Sequence, residues 1–217
     1  MTTIVVIAKE PVAGTVKTRL NPPLTLEQAA TVAGACIDDT LATLAMLPAS
    51  RRILYFQGQR VPDSADGFEV IPQPDGPLDV RLAWIFDYCA EPTLLVGMDT
   101  PQITAAHLEP AFPAWADEVD AWYGPAADGG FWALGMRDPN GSLIRGVPMS
   151  RNDTGAIQLA VLEAAGLRVG KLDTLTDVDT IADALTVARA APNTRFAREL
   201  GIALSQPKLP PARSWEV

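Results

Sequence analysis

The chain has 217 residues, of which 48% are hydrophobic and 20% are charged, as is typical of a soluble globular protein with one sizeable core. Its 17 basic and 26 acidic side chains give a formal net charge of −9, which argues against binding to nucleic acid or to a membrane surface. No apolar run has the length of a membrane span, and the first residues do not resemble a secretion signal. We therefore expect a cytoplasmic protein, with one domain over residues 1–205 and a proline-rich tail over residues 206–217.

The first strand and the loop after it suggest a phosphate site. Residues 3–8 are mostly β-branched and apolar, as expected of a strand that is covered on both faces. The loop that follows carries Lys9, Lys17 and Arg19. Open α/β sheets bind ligands at the carboxyl ends of their strands, so these cations are candidates for contacts with a phosphate or pyrophosphate. A solvated basic loop without a ligand is the alternative.

The rest of the chain alternates between strand-like and helix-like segments. The predicted helices cover residues 25–44, 78–89, 104–115, 157–164 and 180–191, the first of them beginning at a capping-box sequence. The predicted strands cover residues 52–57, 68–71, 93–97, 121–123, 131–136 and 167–172. This alternation predicts a three-layer α/β/α architecture, with a mostly parallel sheet between two layers of helices.

Three acidic loops are candidates for chemistry at the same edge of the sheet. Asp99 directly follows the predicted strand 93–97, and Asp128 precedes two glycines in the turn between two later strands. Asp177 and Asp179 lie just before the last predicted helix. A hard cation such as Mg²⁺ prefers a few carboxylates together with phosphate oxygens, which makes Asp99 a candidate ligand and Asp177 or Asp179 a second one. The structural alternatives are a turn former for Asp99, a plain hairpin turn for Asp128 and a helix N-cap for Asp179.

Several common sites are ruled out by their motifs. The sequence GTVKT lacks the second glycine of a Walker A loop and has Val16 in its place, and neither GxGxxG nor GxSxG occurs. The one histidine, His107, lies within a predicted helix, where a catalytic role is not expected. Cys36 and Cys89 lie on the apolar faces of two helices, so we expect buried free thiols.

Four motifs in order carry a resemblance to a known family. They are AKEPVAGTVKTRL, GMDTPQIT, YGPAADGGFWALG and LTDVDTIADAL. Together they resemble the bacterial glycosyltransferase family of GT-A fold that is associated with arsenosugar biosynthesis. The chain is similar, more remotely, to nucleotidyltransferases of the same superfamily, including 2-phospho-L-lactate guanylyltransferase and the molybdenum-cofactor nucleotidyltransferases. The resemblance implies a GT-A, or nucleotide-diphospho-sugar transferase, fold.

The resemblance also implies roles for individual residues. Nucleotide and phosphate binding would fall to Ala8, Lys9, Gly14, Lys17 and Arg19. Asp99 would bind Mg²⁺ or Mn²⁺ with Asp177 or Asp179, and Asp99 and Asp128 would be the catalytic carboxylates. Gly129 and Gly130 would line the acceptor or sugar side. Residues 148–154 depart from the family, which often has a Trp-Ser-Thr group there, so acceptor recognition is not implied for that segment.

The implied reaction is a metal-assisted transfer from a nucleotide-activated donor to a small-molecule acceptor. A glycosyltransferase would use a nucleotide-diphospho-sugar, whereas a nucleotidyltransferase would use a nucleoside triphosphate and release pyrophosphate. Both reactions need the same basic loop and the same cation, so the sequence leaves both open. A nucleotide-binding module without turnover is a third alternative. Neither a nucleic acid nor a membrane is an expected partner, and a homodimer is left open.

Overall fold

A mixed seven-stranded sheet forms the centre of the molecule. The computed structural model describes residues 2–112, 115 and 117–206, and the strands and helices below all lie in that part of the chain. The strands are β1 Thr3–Lys9, β2 Arg51–Gln57, β3 Glu69–Pro72, β4 Thr93–Gly97, β5 Ala121–Pro125, β6 Phe131–Met136 and β7 Val169–Lys171. Their order across the sheet is β3-β2-β1-β4-β6-β5-β7, with β6 antiparallel to both of its neighbours and the other pairs parallel.

Helices cover both faces of this sheet. They are α1 Leu26–Ala45, α2 Leu78–Tyr88, α3 Ala105–Leu108, α4 Thr154–Ala164, α5 Ile181–Ala190 and α6 Arg195–Ser205. Side chains alternate along β1, so Ile4 and Val6 belong to the core on the α1 side while Val5 belongs to the core on the α2 side. All three of these side chains are fully buried, as the uninterrupted apolar run predicts. The predicted α/β/α architecture is confirmed.

Helix α1 is buried on two sides, which is why it is long and rich in alanine. Its capping box forms as predicted, because Thr25 Oγ1 accepts from Gln28 N while Gln28 Oε1 accepts from Thr25 N. Ile37 packs toward the sheet, whereas Cys36 packs in a third cluster with α5 and α6. Helix α6 was not predicted from the sequence, although Thr194 caps it.

The site-bearing edge is defined by the ends of β1 and β4. Chain order reverses between these two neighbouring strands, because β1 continues to β2 on one side while β4 lies on the other. Ligands of open α/β sheets bind in the crevice at such a switch point. The loops after β1 and β4 therefore meet where the sequence predicts a phosphate and metal site.

One prediction about the elements needs correction. The helix predicted over residues 104–115 ends at Leu108 and continues as a 3-10 turn, Glu109–Ala111, because Pro110 has no N–H to donate to a further helical turn. Residues 113, 114 and 116 lie outside the described part. So do residues 207–217 of the predicted tail, while Gln206 Oε1 accepts a hydrogen bond from Gln28 Nε2. Among the described helices, none is both long and apolar enough to cross a membrane.

Candidate nucleotide and metal site

Lys17 is the buried cation of the loop after β1. Its backbone is left-handed, with φ of 47°, and it precedes a short 3-10 turn, Thr18–Leu20. The side chain is only 8% exposed, and Nζ lies 2.6 Å from Asp99 Oδ1. Burial alone would lower the pKa of Lys17, but the charge of Asp99, the hydrogen bond to it and the charge of Asp177 act in the opposite direction, so the pKa is raised and the ammonium stays charged. The loop therefore delivers a fixed positive charge to the end of β4.

Asp99 is placed by β4 and in turn positions the acidic segment before α5. The carbonyl of Asp99 accepts a 2.8 Å hydrogen bond from the backbone N–H of Val178. Gln102 Nε2 donates to the carbonyl of Thr176 at 2.7 Å, and Trp132 Nε1 donates to that of Asp173 at 2.9 Å. These three bonds fix residues 173–178 against the sheet edge, which is how carboxylates so distant in sequence reach the same site.

Asp177 and Asp179 then differ in their surroundings. Burial, followed by the negative charges of Asp99 and Asp128, raises the pKa of Asp177 to about 7. Asp179 instead forms an ion pair with Arg19, whose side chain is 71% exposed. The N-cap alternative for Asp179 is wrong, because the cap of α5 is Thr180, whose Oγ1 accepts from Asp183 N. Asp177 is thus the partly buried acid with the raised pKa, and Asp179 is the acid that pairs with Arg19 at the rim.

Asp128 and the two glycines form a tight turn beside these acids. Asp128 Oδ1 accepts from Gly130 N at 2.8 Å, which leaves Oδ2 without a hydrogen bond to the described residues. Gly129 has φ of +91°, and a Cβ there would lie 1.9 Å from the carbonyl oxygen of Asn152. The glycine is therefore required by the neighbouring loop rather than by a ligand, while Gly130 lines the cleft itself.

The segment over residues 150–152 lines the site and was not assigned by the sequence. Arg151 reaches both halves of the cleft and makes a two-pronged contact with Asp153, at 2.8 Å from Nε and 2.7 Å from Nη2. Ser150 has φ of 58°, an uncommon conformation for serine. The contact between Gly129 and Asn152 brings this loop to the site, and the sequence carries no local signal of that long-range contact.

The cleft has a polar half and an apolar half. The polar half, about 480 Å³, contains both Lys17 and Arg19 and all four acids of the site. The apolar half, about 280 Å³, extends under the sheet edge. Asp99, Asp128, Asp177, Ser150 and Arg151 line both halves. The residues predicted to converge, Arg19 and Asp99 above all, do lie in one cavity.

Three residues of the predicted phosphate group lie outside the polar half of the cleft. Lys9 Nζ donates to the carbonyl of Thr15 at 3.3 Å, and Gly14 supplies a turn with φ of +79°. Ala8 is buried, with its carbonyl accepting from Gln73 Nε2 at 2.9 Å. None of the three lines the described polar half, so their nucleotide-binding role stays a prediction.

The other candidate groups behave as structural residues. His107 Nδ1 accepts from the backbone N–H of Thr104 and completes the start of α3. Cys36 and Cys89 are free and buried, as predicted, and burial raises the pKa of both thiols. These residues add no nucleophile or ligand to the cleft.

The carboxylate oxygens of the cleft are chemically suited to a hard divalent cation. Within the described residues, no three metal-ligating side chains are already arranged as a metal site. Asp99 Oδ1 is buried and contacts Lys17 Nζ at 2.6 Å, and no other donor among the described residues bonds to it. Asp177 is close enough to Asp99 and Asp128 for their charges to raise its pKa. Oxygen donors with excess negative charge are what Mg²⁺ and Mn²⁺ require.

The order and direction of the strands give the chain a nucleotide-diphospho-sugar transferase fold. The chain belongs to the bacterial family DUF2064, described as an uncharacterized protein conserved in bacteria, whose model matches residues 26–151. No curated protein sequence matches it.

Solved structures show the same fold. A Desulfovibrio desulfuricans G20 protein, provisionally classed as a nucleotide-diphospho-sugar transferase, is 24% identical over 93% of each chain, with a TM-score of 0.76. CMP:2-keto-3-deoxy-manno-octonic acid synthetase, complexed with CTP, is 13% identical over 87% of this chain and 99% of its own, with a TM-score of 0.56. 2-C-Methyl-D-erythritol 4-phosphate cytidylyltransferase from Thermus thermophilus is 14% identical over 87% and 98%, with a TM-score of 0.52. The predicted fold is confirmed, whereas the link to arsenosugar biosynthesis stays a prediction.

Proposed function

We propose that this protein is a metal-dependent transferase that uses a nucleotide-diphospho-sugar as its donor. The observation that carries the proposal is the convergence of Lys17 and Arg19 with Asp99, Asp177 and Asp179 in one cavity at the switch point of the sheet. Cations suit a diphosphate and carboxylates suit a divalent ion, so the polar half is suited to the two together. The class of the Desulfovibrio desulfuricans relative supports the sugar donor.

Each residue of the polar half has a role in this proposal. Lys17, with its buried and permanently charged ammonium, would hold one phosphate and stabilise the departing diphosphate. Arg19, more exposed, would bind the outer phosphate. Asp99 and Asp177, with Asp179 at the rim, would hold Mg²⁺ or Mn²⁺, which when bound neutralises charge on the diphosphate.

Asp128 would act on the acceptor. Asp128 lines the cleft, and its Oδ2, which has no hydrogen bond to the described residues, can accept the proton of an acceptor hydroxyl. In the transfer, the acceptor oxygen bonds to the anomeric carbon while the bond from that carbon to the diphosphate oxygen breaks. The bonding electrons leave with the nucleoside diphosphate, and the acceptor proton passes to Asp128 and then to solvent.

A nucleotidyltransferase is the second candidate. The two cytidylyl-transferring neighbours share the fold, and the same cations would serve a triphosphate. A phosphate or carboxylate of the second substrate would then attack the α-phosphorus and release pyrophosphate. A binding module without turnover is a weaker alternative. Asp177 is partly buried beside the negative charges of Asp99 and Asp128, which destabilises the free protein, and a bound cation would offset that repulsion.

The products of the reaction distinguish these candidates. Incubation with nucleoside triphosphates and nucleotide sugars, with and without Mg²⁺ or Mn²⁺, should give a free nucleoside diphosphate from a sugar donor. Pyrophosphate from a triphosphate would establish the alternative. Asp99→Asn should abolish the metal-dependent product, while the exposed Asp138→Asn serves as the matched control outside the cleft. Nucleotide binding without either product would leave only the binding module.

A further inference from the structure

The apolar half of the cleft has no role in donor binding as proposed above. It is a cavity of about 280 Å³ whose far wall consists of aliphatic and aromatic side chains. They are Ile7, Leu78, Leu82, Leu95, Phe131 and Met149, and Trp132, whose Nε1 donates to the carbonyl of Asp173, also lines the cavity. Asp128, Asp177 and Arg151 lie where this wall meets the polar half.

The sheet and the helix α2 on one of its faces build this wall. Ile7 of β1 and Leu95 of β4 belong to the core on the α2 side of the sheet, and Leu82 of α2 packs in the same core. Phe131, at the start of β6, packs against Tyr123 with ring centroids 6.2 Å apart. The cavity is thus the open end of a hydrophobic core, and it lies directly beside the reactive carboxylates.

We propose that this cavity receives the apolar body of the second substrate, whose hydroxyl or phosphate head faces Asp128 and Arg151. The inference rests on the proposed function, since it assigns the acceptor of that transfer. Water occupies about 30 Å³ per molecule, so 280 Å³ has room for about nine groups of that size. The acceptor is therefore a small amphiphile with a short aliphatic chain or a single ring.

The chemistry of the wall favours such an acceptor over a sugar or a nucleobase. None of the six wall side chains has a hydrogen-bonding group. A hexose or the edge of a base would lose hydrogen bonds to water on entering it, and buried unpaired polar groups are costly. An alkyl chain or a phenyl ring loses nothing and gains from leaving water.

Chain length provides the test. Alkan-1-ols and alkyl phosphates from methyl to hexyl, with inorganic phosphate as the reference, are titrated into the whole protein by calorimetry in the presence of Mg²⁺. If the chain enters the cavity, affinity should increase about fourfold for each buried methylene until the cavity is full. The alkanol and phosphate series also distinguish the two head groups, because only the better head should support transfer from the donor.

Variants locate the effect. Two substitutions, Leu78→Asn and Met149→Gln, place a polar group on the wall at partly exposed positions. In these variants the affinity should increase less than about twofold for each added methylene. Val80→Asn is the matched control, because Val80 lies on the same helix but its side chain is 37% exposed and outside the cavity. Val80→Asn should retain the full dependence on chain length.

Two results would overturn the inference while leaving the proposed function intact. One is nucleotide binding and turnover with no dependence on acceptor chain length. The other is competition between hexyl phosphate and a free nucleoside, which would place the base of the donor in the cavity. A chain-length dependence without any nucleotide binding would refute the proposed function, and the assignment of the cavity to an acceptor would fail with it.

Discussion

Replacing Asp177 with asparagine should make the free protein more stable at pH 8 and leave its stability nearly unchanged near pH 4. Burial and the charges of Asp99 and Asp128 raise the pKa of Asp177 from an ordinary value of 3.8 to about 7. The folded state therefore keeps the proton while the unfolded state loses it, so this group lowers the free energy of unfolding as pH rises from about 4 to about 7.

The size of the effect follows from the shift. Across that interval the free energy of unfolding falls by about 1.4 kcal/mol for each pH unit. The total loss above pH 7 is about 4 kcal/mol. Water and side-chain relaxation reduce this value, so we expect the asparagine variant to gain about 2–4 kcal/mol at pH 8. For a chain of this size the gain corresponds to an increase in Tm of about 5–15 °C.

Thermal and urea unfolding between pH 4 and pH 8, with EDTA present, measures this difference directly. Asp173→Asn is the matched control, because Asp173 is an exposed acid in the same segment and outside the cleft. Its substitution should change stability by no more than about 0.5 kcal/mol. A gain that is equal at pH 4 and pH 8, or a loss of stability at pH 8, would refute the placement of Asp177 in a carboxylate cluster.

Three further predictions follow from the site. Mn²⁺ must displace the proton of Asp177, so its affinity should increase about tenfold from pH 6 to pH 8, with proton release measurable by calorimetry in two buffers. Lys17→Met should weaken binding of a nucleoside diphosphate at least about tenfold. The ammonium of Lys9 contacts a backbone carbonyl outside the polar half, so Lys9→Met should change the same affinity less than about threefold. Gly129→Ala should lower the free energy of unfolding by more than about 2 kcal/mol in urea titrations, because its Cβ would overlap the Asn152 carbonyl at a positive φ.

The sequence predicts the centre of the sheet well because β1, β2 and β4 are mostly buried on both faces. The apolar run of β1 needs no knowledge of its neighbours to be recognised, and the capping box of α1 is a local signal. Helix α6 is different, since Phe196, Leu200 and Ala203 form a narrow stripe that is buried against the outer side of α1. The helical spacing of these residues and the N-cap Thr194 are local signals that the prediction missed, whereas the packing against α1 is tertiary and has no local signal.

The same distinction applies to the site. Asp99 and Asp128 were found from the sequence because they follow or precede strands at one edge of the sheet. The different surroundings of Asp177 and Asp179 depend on the hydrogen bond between Val178 N and the Asp99 carbonyl, across a long sequence separation. Arg151 was missed because nothing in its own segment signals that it reaches the cleft.

Under the proposed function, the two ion pairs of the free site favour joint binding of nucleotide and metal. The exposed pair of Arg19 and Asp179 contributes no more than about 1 kcal/mol, so either partner can be given to a ligand at little cost. Lys17 is different, because its ammonium is 8% exposed and its counter-ion is Asp99. A metal ion alone would take Asp99 from a buried ammonium, and a nucleotide alone would take Lys17 from a crowded set of carboxylates. A nucleotide and a metal ion that bind together supply a phosphate to Lys17 and a cation to Asp99, so both charges are replaced at once. Each of the two ligands should therefore increase the affinity for the other.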